Sequence, residues 1–180
     1  MRYTQHRKPA SLAVDATQGY HRMIGEKTPE VEAYWQAFRA ATGSGETDYH
    51  AATFADPGLS ANVGKIGRLA RSGDKRATCH LALDFARNGV RRREAGDCLV
   101  VLDEAGAPLC IVRVTEVAVT PFDAVGPELA VAEGEGDLSR DYWATVHRHY
   151  FEKQCAQWGV DWHEDREVVC EYFDLVWTGA

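Results

Sequence analysis

Hydrophobic side chains recur every three to four residues in three stretches of the chain, a spacing that places them on one face of a helix. The first stretch begins at Thr28, an N-cap residue, with Pro29 at the first helical position. Each stretch ends at or near a glycine, which commonly terminates a helix. We therefore predict helices from Thr28 to Gly43, from Ser60 to Gly73 and from Ser139 to Gly159, with a shorter one from Glu128 to Glu133.

Alternating or continuous apolar runs predict strands elsewhere in the chain. In residues 76–83, apolar side chains alternate with more polar ones, which is typical of a strand with one solvated face. A tight turn between two later runs predicts a hairpin. The predicted strands are 76–83, Cys98–Leu102, Leu109–Val119 and Glu167–Trp177. Strands clustered in this way favour a mostly antiparallel sheet or barrel with helices set aside, an α+β fold.

Length and hydropathy bound the organisation of the chain. Its 180 residues suit one domain. Residues 1–29 are polar and show no sustained period, so we expect an N-terminal arm or tail there and the domain in residues 30–180. Nothing approaches the roughly 18 apolar residues of a membrane span, and the amino terminus lacks the apolar core of a secretory signal. We expect a cytoplasmic protein that does not enter membranes.

The five cysteines are odd in number, widely spread and free of CxxC spacing, and several fall in apolar strand-like runs. This pattern is typical of buried free thiols and favours neither a disulfide framework nor a zinc site.

The charge is unevenly distributed. The formal net charge is −7, which by itself argues against a polyanionic partner. However, residues 65–93 carry nine cations against two anions, a local charge of +7, so the rest of the chain carries −14. An acidic protein with one basic segment can still present a positive surface, although these charges could also be ordinary solvated helix residues.

Three motifs resemble those of one protein family. The turn 73–78 has the spacing G-x-K-x-x-T around Lys75 and Thr78. The hairpin region 96–125 and the stretch 130–139, which contains the sequence EGEGD, supply the other two. Together the motifs are similar to those of the ASCH (activating signal cointegrator homology) domain, over roughly residues 31–177.

The resemblance implies a small PUA-like β-barrel with flanking helices and a cleft suited to RNA. It also implies that the catalytic set of the family's hydrolases corresponds to Lys75, Thr78 and Glu133. We expect a protein that binds RNA or a nucleoside and acts as a hydrolase, namely a metal-assisted ribonuclease, in a basic cleft centred on Lys75. The alternatives are a nucleoside amidohydrolase acting on acylated cytidine, a non-catalytic RNA-binding module, and a regulatory protein whose barrel binds a small ligand or partner.

The chemistry of these residues gives further expectations. Neighbouring cations are predicted to lower the pKa of Lys75, so that its amine could accept the proton of the Thr78 hydroxyl. Glu135 and Asp137 are candidate ligands for a weak Mg or Mn site. Tyr142 and Trp143 could stack on a base or pack in the core. The candidate contacts to nucleic acid are Arg71, Arg76, Arg91, Arg92, Arg93, Arg140, Tyr142 and Trp143.

Overall fold

A five-stranded mixed sheet forms the centre of the computed structural model, which describes residues 25–179. Its strands are β1 (His50–Ala52), β2 (Ala77–Leu81), β3 (Cys98–Leu102), β4 (Pro108–Pro121) and β5 (Glu167–Trp177), in the order β1-β3-β4-β5-β2. β1 pairs with β3 in parallel, and the other neighbours are antiparallel. The α+β prediction and the predicted hairpin, now β3 and β4, are confirmed.

Five helices flank the sheet: α1 (Pro29–Thr42), α2 (Val63–Ser72), α3 (Ala82–Asn88), α4 (Pro127–Glu133) and α5 (Arg140–Gln157). The Thr28 hydroxyl accepts the Val31 N–H and the Ser139 hydroxyl accepts the Tyr142 N–H, so both predicted N-caps are confirmed. The predicted cap at Ser60 is wrong, because α2 starts after Asn62 and the Ser60 hydroxyl instead accepts the Asn62 N–H.

The sheet curls into a half-barrel because β4 and β5 are long and irregularly paired. The register shifts at two points along β4, and such bulges bend a strand and increase its twist. Successive side chains of β3 point to opposite faces of this sheet and so enter two different cores. Val100 packs with Trp35 of α1, whereas Val101 lies on the other face in the core that contains Ala70 of α2. Helices α1 and α2 therefore cover opposite faces of the sheet.

The predicted solvated face of β2 is wrong. All five residues of β2 are buried, because Thr78 and His80 face the inside of the half-barrel. The strand also ends at Leu81, and the next residues form α3 rather than continuing to position 83. The three-residue strand β1 was not predicted, since it lies in a segment rich in Gly, Ser and Thr.

Most of the predicted N-terminal tail lies outside the described residues. Where the structure does describe it, the Gly25 N–H donates to the Ala51 carbonyl and Lys27 pairs with Asp48 at 2.6 Å. Within residues 25–179, no helix is both long and apolar enough to cross a bilayer. All five cysteines are buried free thiols, as predicted.

Candidate functional site

Two backbone segments that are distant in sequence meet at the exit of α2. The Arg76 N–H donates to the Ala132 carbonyl at 2.7 Å, which joins the start of β2 to the end of α4. Gly134 then follows in the left-handed conformation, with φ of +68°. A Cβ atom at this position would lie 2.4 Å from the Asp74 carbonyl oxygen, so only glycine allows this approach. This contact brings the acidic loop (residues 133–137) against the lysine turn (residues 73–78).

Lys75 lies between two carboxylates as a result of that contact. Its Nζ donates to Glu133 Oε2 at 2.5 Å and to Glu135 Oε1 at 2.7 Å. Lys75 is 2% exposed and Glu133 is 1% exposed, so this ion pair is buried, while Glu135 is partly exposed. An ammonium has three donors, and these two bonds leave one for a ligand.

Both members of the buried pair favour their charged forms. Burial acts to lower the pKa of Lys75, but the carboxylates of Glu133 and Glu135 outweigh it and raise that pKa above its ordinary value. Burial acts to raise the pKa of Glu133, but Lys75 and His147 together outweigh it and lower that pKa. The prediction that neighbouring cations lower the pKa of Lys75 is therefore wrong, because the nearest charges are anions from a loop nearly 60 residues away.

The second oxygen of Glu133 faces helix α5. The Trp143 indole N–H donates to Glu133 Oε1 at 2.8 Å, and His147 Nε2 lies 3.4 Å from the same atom. The two rings stack with centroids 4.4 Å apart, as expected for residues one helical turn apart. His147 Nδ1 lies 3.0 Å from the Trp143 carbonyl. The carboxylate of Glu133 is thus fixed from both sides.

A cavity of about 110 Å³ opens above this cluster. Lys75, Thr78, Glu133 and Glu135 contribute polar groups to it, and Tyr142 lies at its wall. The remaining lining mixes apolar and aromatic residues with polar ones: Phe54, Ala55, Ser60, Asn62, Lys65, Ile66, Leu69, Cys79, Gly136, Val146, His147 and Tyr150. The predicted basic cleft is therefore wrong in its charge, since two lysines are balanced by two glutamates in this lining.

Comparison with known proteins identifies the family. A family model described as the ASCH domain matches residues 51–177. The chain belongs to the ASCH family. Proteins with this domain are generally thought to bind RNA. No curated protein matched the chain in a sequence comparison.

Two crystal structures share the fold of this ASCH domain. An ASCH domain from Lactobacillus crispatus superposes with a TM-score of 0.75 at 28% identity, covering 83% of this chain and 96% of that chain. A protein from Enterococcus faecalis superposes with a TM-score of 0.74 at 30% identity, covering 83% of this chain and 89% of that chain.

Several predicted nucleic-acid contacts of the ASCH domain lie away from the cavity. Arg91 pairs with Asp97, and Arg93 is buried against Glu171 at 2.7 Å. Arg140 donates to the Val125 carbonyl at 2.8 Å and so supports the loop before α4. Three further residues also lie outside the cavity lining: the exposed Arg71, Arg76 and Arg92.

The predicted metal ligands are used in other contacts. Glu135 accepts from Lys75, whereas the Asp137 side chain accepts the Ser139 N–H at 2.9 Å in the exposed loop before α5. Across residues 25–179, no group of three or more His, Cys, Asp or Glu side chains is arranged to hold a metal ion. The residues present do not fit a dedicated divalent-cation site, and we assign no chemical step to a metal.

Sequence reasoning missed several contributors to the ASCH cavity, among them Phe54, Lys65 and His147. Phe54 lies in a loop that has no periodic pattern. The centroid of its ring is 5.4 Å from Lys75 Nζ. Lys65 was counted among the basic residues but not assigned to the site. His147 was not among the predicted site residues. Its spacing of one turn from Trp143 is the signal that could have placed it beside the same carboxylate.

Proposed function

We propose that this ASCH domain is a hydrolase that acts on RNA or a nucleoside, with one base held in the cavity. The observation that carries the proposal is the buried Lys75 ammonium held between the carboxylates of Glu133 and Glu135 in a cavity that also has apolar and aromatic walls. Buried charges of this kind cost stability, and they cluster at functional sites.

The cavity suits a flat, largely uncharged ring. Phe54 and Tyr142 offer aromatic surface, and apolar side chains such as Ile66 line it further. Lys75, Glu133 and Glu135 converge in this cavity, and a few converging polar groups are the usual means by which a site orients a small ligand. Glutamate oxygens accept from the exocyclic amines of a base, and the free donor of Lys75 can bind a carbonyl oxygen.

Hydrolysis of an amide on the base is the reaction that this arrangement supports best. Because its pKa is raised, Lys75 acts as a cation that stabilises the oxyanion formed when a nucleophile adds to the amide carbonyl. The nucleophile is the Thr78 hydroxyl or a water molecule beside it, and the carboxylate of Glu135 accepts its proton. Glu135 returns that proton to the amide nitrogen as the carbon–nitrogen bond breaks, and the base amine leaves. If water is the nucleophile the carboxylic acid forms directly, and if Thr78 is the nucleophile a second water hydrolyses the resulting acyl ester to the acid and free Thr78.

The experiment measures turnover by the purified protein with two substrates. N4-acetylcytidine tests release of acetate, and labelled single-stranded RNA tests strand cleavage with and without added magnesium or manganese. We expect acetate release, with kcat/KM lowered about 100-fold or more in Thr78→Val and retained in Thr78→Ser. Lys27→Gln removes an exposed lysine on the other side of the sheet and should leave turnover unchanged.

Three outcomes distinguish the alternatives. Metal-dependent RNA cleavage without acetate release would favour the ribonuclease and overturn the amide reaction. Failure with both substrates, combined with a Lys75→Gln variant that changes only RNA affinity, would leave a binding module. Full activity of Thr78→Val would exclude the hydroxyl as the nucleophile.

A further inference from the structure

The outer face of α2 carries three cations in a row. Lys65, Arg68 and Arg71 are all exposed, and they stand three residues apart, so they are neighbours on the helix surface. Their row extends about 9 Å along the helix axis. Helix α2 contains no acidic residue. In the part of the chain from 25 to 179, none of the three forms an ion pair.

This row is unfavourable for the helix itself. Like charges three residues apart repel, and Lys65 lies in the first turn, where the positive end of the helix dipole disfavours a cation. The nearby anions among the described residues form no ion pair with the row. Glu104 lies over Gly64 at the start of α2, and Asp74 accepts from the Ser72 hydroxyl at its end. Arrangements that cost the free protein stability are expected where a ligand of opposite charge binds.

The row of cations starts at the mouth of the cavity. Lys65 itself lines the cavity, whereas Arg68 and Arg71 lead away from it. The opposite wall is formed by α5, where Tyr142 is 42% exposed and Val146 is 39% exposed. The mouth thus lies between a cationic wall and an apolar, aromatic wall.

The acidic loop holds Tyr142 in this exposed position. A Cβ atom at Gly136 would lie 2.0 Å from the Tyr142 ring, so the ring packs directly on the loop backbone. Leu138, two residues further on, is the one non-glycine residue with positive φ among those described, and it is 45% exposed. Non-glycine residues in the left-handed region cluster at active sites and ligand-binding sites.

We propose that α2 is a phosphate track for single-stranded RNA, so that the ligand is a strand rather than a free nucleoside. This inference rests on the proposed function. One base occupies the cavity, its neighbour stacks on Tyr142, and the following phosphates bind Arg68 and Arg71. Single-strand binders combine a cationic groove with aromatic stacking in this way. An anionic membrane is disfavoured as the partner, because the apolar side of α2 is buried in the protein.

The test compares two double variants that each remove two positive charges. Arg68→Gln/Arg71→Gln removes the outer part of the row while leaving every cavity residue in place. Lys27→Gln/Arg39→Gln is the matched control, because both cations lie on the α1 side of the sheet. Glutamine keeps a high helix propensity, so both variants should fold, which thermal melting checks.

The measurement is the affinity for a short labelled single-stranded RNA by fluorescence anisotropy between about 50 and 200 mM salt. Each phosphate contact on a single strand contributes about 0.7 to the slope of log K against log salt. Arg68→Gln/Arg71→Gln should therefore reduce the magnitude of that slope by about 1.4. The control should keep the wild-type slope, and turnover of the free nucleoside should be the same in all three proteins.

The outcomes separate this inference from the proposed function. RNA binding with equal slopes in both variants would overturn the phosphate track but leave the cavity proposal intact. Loss of binding to phosphatidylserine vesicles in the α2 variant, with an unchanged RNA slope, would also overturn it. Absence of both RNA binding and nucleoside turnover in the wild type would instead reject the proposed function.

Discussion

Replacing Lys75 with methionine should destabilise the protein by about 3 to 5 kcal/mol, the usual cost of leaving one member of a buried ion pair without its partner. Methionine preserves most of the apolar volume, so the effect reports the lost charge. The carboxylate of Glu133 would remain 1% exposed, with only the Trp143 N–H and the nearby His147 ring to stabilise it. Urea unfolding at pH 7 gives the free energy, and an unchanged m-value shows that the unfolded state is comparable.

A double-mutant cycle isolates the interaction between the two charges. Glu133→Gln should cost somewhat less than Lys75→Met, because Glu135 still pairs with the ammonium at 2.7 Å. In the double variant no unpaired charge is left between them, so its cost should fall below the sum of the single costs by about 1 to 3 kcal/mol. Additive costs, or a Lys75→Met cost below about 1 kcal/mol, would refute the buried-pair reasoning.

The same pair predicts how stability depends on acid. Folding lowers the pKa of Glu133, so its contribution is complete above the unfolded-state pKa of about 4.3 and is lost as pH falls through the lowered folded value. Lys75→Met removes the main cause of that lowering, and its free energy of unfolding should therefore fall less steeply below pH 4. An equally steep acid dependence in the variant would assign the effect to other carboxylates.

Three further predictions concern the surroundings of the site. Gly134→Ala should lower the free energy of unfolding in urea by more than Gly89→Ala does. Both glycines have positive φ, but only a Cβ atom at Gly134 would meet a backbone carbonyl. The Gly89 variant should lose about 1 to 2 kcal/mol. Burial raises the pKa of Asp84 to about 6. Ionisation of this carboxyl therefore lowers the protein's free energy of unfolding as pH rises from about 4 to 6. Asp84→Asn should raise the free energy of unfolding at pH 7 by up to about 3 kcal/mol. Trp143→Phe removes one donor to Glu133 and should cost about 1.5 to 3 kcal/mol in the same assay, and equality with wild type would contradict the role of the indole N–H.

Local signals in the sequence predicted most elements correctly. Capping residues such as Thr28 and Ser139 act on backbone groups within three positions, so their effect can be read from neighbouring letters. The same holds for the β3–β4 hairpin, where a tight turn joins two apolar runs. Strand β1 escaped prediction because its three residues are defined by parallel pairing with β3, nearly 50 positions away.

The candidate site was predictable in membership but not in electrostatics. The family resemblance brought Lys75, Thr78 and Glu133 together as an expectation, and the structure places all three at one cavity. The charge states of Lys75 and Glu133 depend on contacts between residues about 60 positions apart, and a local sequence pattern does not show such contacts. Likewise the pairing of Arg93 with Glu171 across 78 positions turned an expected surface cation into a buried one.

The contact between Gly134 and the lysine turn determines at which stage of folding the cavity forms. Contacts between residues so far apart in sequence form only after the intervening chain has been ordered, since closing a long loop costs entropy before any contact repays it. The carboxylates can therefore reach the ammonium only in the completed fold. A molecule that occupies the cavity would bind the native state and not the unfolded chain, so melting temperature should rise with its concentration and offers a direct screen for the natural ligand.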